Sequence, residues 1–209
     1  MTLSRSDGFR VMTTMDRESE LELVGRLRAG DPDAFDAAHH AFNGRLYNFL
    51  ARLSNRRDVA EDLLEETWLR LVKHAHRLRP DTRLGPWLFT VARRVHASYC
   101  RSRILEDSHA GDLIGLWPNG RPLPSPFDAV EASETGRRVA RAFASLPVAY
   151  REALLLVAIE GLKCADAADI CDVSAEAMRQ RVSRARALLA RRLTDADAPI
   201  LASLKEITT

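Results

Sequence analysis

The 209-residue chain has no apolar run near the roughly 18 residues that cross a bilayer. Its N-terminus also lacks the apolar core of a secretory signal, so a cytoplasmic location is expected. Cysteine is scarce: Cys100, Cys164 and Cys171 are an odd number with no C-x-x-C pair, which suggests neither a disulfide framework nor a zinc finger. Buried, unreactive thiols are expected instead. Aromatic residues make up only 6%, and β-branched residues are sparse beside alanine, leucine and arginine, a balance that favours helix over sheet. The chain has no glycine-rich phosphate loop and no nucleophile elbow. His74-Ala75-His76 brings no cysteine or carboxylate at a metal-ligand spacing, and His39, His40, His96 and His109 are scattered. Catalysis, a metal and a cofactor are therefore not expected.

With 46% hydrophobic residues in a chain of this length, an all-α protein of two small helical domains joined by an irregular linker is expected. Residues 1–17 read as an N-terminal tail and 18–103 as a first domain of about four helices. That domain is interrupted at Gly30-Asp31-Pro32, near Ser54-Asn55, and from Arg79-Pro80-Asp81 through Gly85-Pro86. Residues 104–133 contain Trp117-Pro118-Asn119-Gly120 followed by Pro122, Pro124 and Pro126, which cannot propagate a helix and read as linker. Helical periodicity returns over 134–194, the second domain, and 195–209 read as a C-terminal tail.

The formal net charge of +2 conceals strong segregation. Glu106, Asp107, Asp112, Asp128, Glu131 and Glu134 face a single base, Arg121, across the linker, whereas Arg179, Arg181, Arg184, Arg186, Arg191 and Arg192 follow one another without an acid. Such a cationic stretch suits a polyanionic partner. Just before it, a short helix from about Cys164 to Ile170 is followed by the turn Cys171-Asp172-Val173 and by Ser174, a good N-cap. This is the pattern of a helix-turn-helix. At about 100° per residue, Met178, Val182, Ala185 and Leu189 form an inward stripe. Glu176, Ala177, Gln180, Ser183 and Arg184 face the other way, with Arg179 at the edge. Arginine can pair bidentately with guanine and glutamine with adenine, which makes Gln180 and Arg184 the leading base-readers. Arg181 and Arg186 are better placed for phosphates or intramolecular carboxylates. A solvated arginine-rich helix is the plain alternative.

In the first domain, Ala60, Leu63, Leu64, Trp68, Leu71, Val72 and Ala75 give the stripe of a core-facing helix. Its back carries Asp62, Glu65, Glu66, Leu69 and Lys73, an acidic surface with one outward leucine that suits a charged partner with an apolar notch. The next helix, from about Pro86, places Leu88, Val91, Val95 and Tyr99 inward and Arg93, Arg94, Ala97 and Arg101 outward. A basic face of this kind suits melted, single-stranded DNA.

Taken together these segments resemble the extracytoplasmic-function (ECF) sigma factors. Leu146-Pro147, Arg151-Glu152-Ala153-Leu154-Leu155-Leu156, Glu160-Gly161-Leu162 and Arg181-Val182-Ser183-Arg184-Ala185-Arg186 are similar to region 4 of that family. The run from Asp58 to Arg70 is similar to the family's region 2 helix. The resemblance implies a transcription initiation factor whose Asp62, Glu65, Glu66 and Leu69 lie at or near the β′ clamp helices of core RNA polymerase. It implies that Arg77, Arg83, Arg93, Arg94 and Arg101 serve the minus-ten promoter element, with the Arg77-to-Gly85 loop holding a flipped base. It further implies that Glu176, Ala177, Arg179, Gln180, Ser183 and Arg184 serve the minus-thirty-five element beside a contact to the β flap, and it allows an anti-sigma partner. The chain departs from the family pattern at Glu65, Arg94, Ser98, Asp172 and Glu176-Ala177. Two alternatives are a sigma-like decoy or adaptor without promoter activity, and a helix-turn-helix regulator that acts without polymerase.

Overall fold

A computed structural model describes residues 16–109 and 133–195 of the chain. Of the expected N-terminal tail (1–17), linker (104–133) and C-terminal tail (195–209), residues 1–15, 110–132 and 196–209 lie outside the described residues, and residues 104–109, expected as irregular linker, are helical. Eight helices and no strands are present among those described.

The first four helices are α1 (Arg17–Arg28), α2 (Pro32–Ser54), α3 (Arg57–His74) and α4 (Leu84–His109). Their ends follow from local chemistry. Asp16 caps α1 by accepting from Ser19 N, and Asp31 caps α2 by accepting from Asp33 N, with Pro32 in the first turn where its missing N–H costs nothing. Asn55 closes α2 in the left-handed conformation that asparagine tolerates. The break foreseen as far as Gly85-Pro86 is shorter than expected: α4 begins at Leu84, since a proline in a first helical turn is harmless. Glu20 of α1 supplies the missing acceptor there, taking the Leu84 N–H at 2.8 Å, while Arg17 donates to Asp81 O at 2.8 Å. The first helix thereby pins the loop that leads into α4.

The later helices are α5 (Glu134–Ala144), α6 (Val148–Leu154), α7 (Cys164–Cys171) and α8 (Ala175–Asp195). A π-helical turn, Leu155–Ile159, extends α6, and Gly161 ends it at φ 69°, a value that glycine adopts without strain. Asp172, at φ 55°, makes the turn between α7 and α8, and Ser174 Oγ accepts from Ala177 N at 3.1 Å. The turn and cap of the helix-turn-helix are thus formed without the usual glycine.

The two helical domains pack on one another: α7 lies against α4, and α6 touches α2. One apolar cluster crosses the boundary, joining Leu46, Phe49, Leu50, Leu71, Leu88 and Phe89 to Leu155, Leu156, Ile170 and Met178. The Phe49 and Phe89 rings meet edge to face at 5.3 Å near its centre. Two expectations are corrected here. Val72 is 59% exposed rather than buried, because the inward stripe of α3 passes through Thr67, whose hydroxyl is satisfied by donating to Leu63 O at 2.7 Å. Arg93, expected on an open basic face, is instead covered by the second domain.

Candidate polymerase and nucleic-acid interfaces

Three groups of side chains carry the expected chemistry. On α3, Asp62 and Glu65 are exposed and Leu69 is 44% exposed, while Glu66 is half-buried and accepts from Arg70 Nε at 2.7 Å. Val72, missed as an outward residue, stands one turn from Leu69 on the same face. The face therefore presents a pair of aliphatic side chains flanked by carboxylates. The signal available in the sequence is the i, i+3 spacing of Val72 from the outward Leu69, whereas the expected core-facing stripe includes Val72.

On α8, Glu176, Arg179, Gln180, Ser183 and Arg184 are all exposed, and Ala177 is half-buried against its cap. Met178, Val182 and Ala185 are buried on the opposite side, so the helix presents one polar face outward as its periodicity requires. Arg179 donates to Glu176 at 2.6 Å and Gln180 Nε2 donates to the other oxygen at 3.3 Å. These bonds, Arg179's first, hold the Glu176 carboxyl below its ordinary range. All three side chains remain in solvent, where such links are weak and readily exchanged for others.

The arginines expected to serve the minus-ten element do not form one open surface. Arg77, Arg94 and Arg101 are exposed, with Arg94 and Arg101 two turns apart on α4. Arg83 pairs with Asp166 of α7, and Arg93 Nε donates to Glu152 of α6 at 3.1 Å. A third link across the domains, unforeseen from the sequence, joins Arg45 Nε to Glu160 at 2.9 Å, with the guanidinium lying 5.4 and 5.6 Å over the Phe42 and Phe89 rings. Burial pushes the Glu160 carboxyl up, and Arg45 opposes the shift.

Around Arg93 the boundary is polar and closed. His96 is 5% exposed, and burial, then Arg151 and Arg93, lower its pKa to about 4. Cys171 is buried, and its thiol is pushed up to about 11 by burial and by Glu152. Cys100 and Cys164 are half-buried. Among the described residues no three histidine, cysteine or acidic side chains are grouped to hold a metal ion, and no helix is long and apolar enough to cross a membrane. A cleft of about 390 Å³ lies beside α5, α6 and α8, with Val139, Phe143, Leu154, Ile159 and Leu189 among its walls.

Comparison with known proteins matches residues 39–104 to the Sigma-70 region 2 family and residues 136–189 to the Sigma-70 region 4 family. The ECF RNA polymerase sigma factor SigM of Bacillus subtilis is 33% identical over 152 residues, spanning 72% of this chain and 90% of the relative. SigM of Mycobacterium tuberculosis is 32% identical over 176 residues, spanning 84% and 85%. The sigma factor CarQ of Myxococcus xanthus is 30% identical over 159 residues, spanning 76% and 88%. Among solved structures, CnrH in complex with the cytosolic domain of CnrY shares the fold, with a TM-score of 0.65 and 22% identity over 85% of this chain and 98% of that one. The sigma factor RpoE of Bartonella quintana, in complex with the anti-sigma factor NepR, gives a TM-score of 0.54 and 24% identity over 85% and 95%.

Proposed function

The chain belongs to the ECF RNA polymerase sigma factors, and from that premise we propose how its surfaces divide the work of transcription initiation. The exposed α3 face of Asp62, Glu65, Glu66 and Leu69, extended by Val72, docks on the clamp helices of the β′ subunit. Carboxylates set the register and the aliphatic pair supplies affinity. The apolar cleft beside α5, α6 and α8 receives a segment of the β flap. The outward face of α8 enters the major groove of the minus-thirty-five element, where Gln180 and Arg184 read base edges and Arg179 meets phosphate. Arg77, Arg83, Arg93, Arg94 and Arg101 follow the melted minus-ten strand. Residues 18–103 and 134–194 act as the two working units, with 104–133 as the span between them. The protein works in the cytoplasm, and RNA synthesis itself is the polymerase's chemistry.

The observation that carries this reading is the outward face of α8, held open by a buried stripe on its back and presented by a formed turn and cap. Glu176 favours a second reading, that of a decoy which binds polymerase without reading a promoter, because its carboxylate engages both Arg179 and Gln180. One experiment separates the two. Core polymerase loaded with the protein is used to select genomic fragments, which are then sequenced. A shared upstream motif, lost with Arg184→Ala, is expected; tight core binding without any enriched motif would establish the decoy, and absence of core binding would refute both.

A further inference from the structure

Resting on the reading of the cleft beside α5, α6 and α8 as the seat of the β flap, we propose that the chain's own residues 199–207 fill that cleft in the free protein. The flap enters only by displacing them. The cleft is an opening in a core. Of the apolar cluster beside it only Leu146, Leu154 and Ala185 are buried, while Phe143, Tyr150, Leu188 and Leu189 are partly covered. Val139 and Ile159, on its walls, are each 41% exposed. Large aliphatic side chains left in water on neighbouring helices mark a surface that binding covers.

The sequence after α8 supplies a cover of the right pattern and reach. Residues 196–209 lie outside the described residues, and they continue the helix that forms one wall. Arg186, Leu189 and Leu193 recur at i, i+3 and i+7, so that wall runs on from the cleft towards the end of α8, where Arg138 of α5 donates to Leu193 O at 3.4 Å. Ala196-Asp197-Ala198-Pro199 come next; the proline cannot continue α8 and suits the first turn of a new helix. The break has the length of an ordinary helix–helix connection. Ile200, Leu204 and Ile207 then follow at i, i+4 and i+7, one apolar stripe with Leu201 at its edge and Lys205 behind it. At about 1.5 Å per residue, a segment turned back along α8 sets Ile200 beside Leu193 and Leu204 about 6 Å further on, beside Leu189. Ile207 then reaches the walls of Leu154 and Ile159. The tether decides for this occupant over a second copy, because a segment joined by so short a link acts at about millimolar effective concentration. A flap already held near by docking of α3 on the β′ subunit has the same advantage, and so displaces the segment where a free flap peptide does not.

The test compares the full chain with its Leu204→Asp, Ile207→Asp double variant, which changes no residue of the described fold. Hydrogen exchange reports protection of residues 136–143 and 200–207, and anilinonaphthalene sulfonate fluorescence reports open apolar surface, both without polymerase. Protection of both segments in wild type is expected, lost in the variant together with a rise in dye fluorescence. A labelled β-flap peptide should bind the variant about tenfold tighter, since a cleft open about a tenth of the time lowers apparent affinity by that fraction. Lys205→Asp, on the back of the stripe, should match wild type throughout; loss of protection equal to the double variant's would overturn the assigned face. Equal exchange and equal dye binding in wild type and the double variant would overturn the proposal. So would protection that grows with protein concentration, which would give the cleft to a second copy, and equal flap affinity would overturn displacement. Loss of protection in the double variant with no flap binding to either protein would refute the flap's seat under the proposed function, while the docking of residues 199–207 would stand on exchange and dye alone.

Discussion

Acidification should weaken the fold through one residue, His96. In the unfolded chain this imidazole titrates near its ordinary 6.5, whereas in the folded protein burial and the charges of Arg151 and Arg93 lower it to about 4. The unfolded state therefore binds a proton that the folded state refuses throughout that window. Stability is complete above the unfolded value and is lost as the pH falls towards about 4. Integrated from about pH 7.5 to about pH 5, the loss is about 2 kcal/mol, from 1.36 kcal/mol per pKa unit. Glu160 acts in the opposite sense, because its folded carboxyl titrates above the ordinary value and gains a proton first in the folded state. The exposed carboxylates of Asp16, Asp31 and Asp58, each lowered mainly by hydrogen bonds, titrate beneath the window. Urea unfolding of wild type and His96→Leu at a series of pH values isolates the histidine, since the other groups are common to both. The difference between the proteins should shrink by about 2 kcal/mol between the two ends. Parallel curves, or an imidazole NMR titration near 6.5, would refute the assignment of a buried neutral ring.

Other consequences are open to direct measurement. Leu69→Ala should weaken core polymerase binding by about tenfold or more, as loss of an interface anchor does, while leaving the thermal midpoint almost unmoved because the side chain is 44% exposed. Phe49→Ala, at a site 1% exposed and edge-on to Phe89, should cost about 3–5 kcal/mol in denaturant unfolding. Ser174→Ala removes the acceptor for Ala177 N and should cost about 1 kcal/mol by the same assay. Gly161→Ala meets no neighbour within 4 Å, yet its φ of 69° should cost about 1–2 kcal/mol.

The parts of the structure legible in sequence are those decided within a few residues. The breaks at Gly30-Asp31-Pro32 and Ser54-Asn55 appear because their chemistry is local: a left-handed position, a cap and a ring without an N–H. The turn Cys171-Asp172-Val173 and the cap Ser174 appear for the same reason, as does the two-sided character of α8. Val72 was misjudged because an isolated helix gives no sign of where its partner's surface ends, and Thr67, polar yet self-satisfied, took a core position. The π turn has no periodic signature. The links from Arg93, Arg45 and Arg83 span 59, 115 and 83 residues of sequence, so nothing local announces them. Arg151-Glu152 and Glu160 bracket an apolar run, which marks charges entering a core but does not say whose guanidinium waits there.

Run-off transcription on the fragments selected by the loaded polymerase tests the division of labour between the surfaces most directly, with wild type compared against Asp62→Ala and Arg184→Ala. Discrete transcripts that require the protein are predicted, lost in Arg184→Ala while core binding persists, and lost in Asp62→Ala together with core binding. Transcripts unaffected by both substitutions would contradict the account, because initiation would then proceed through neither the α3 face nor the α8 face.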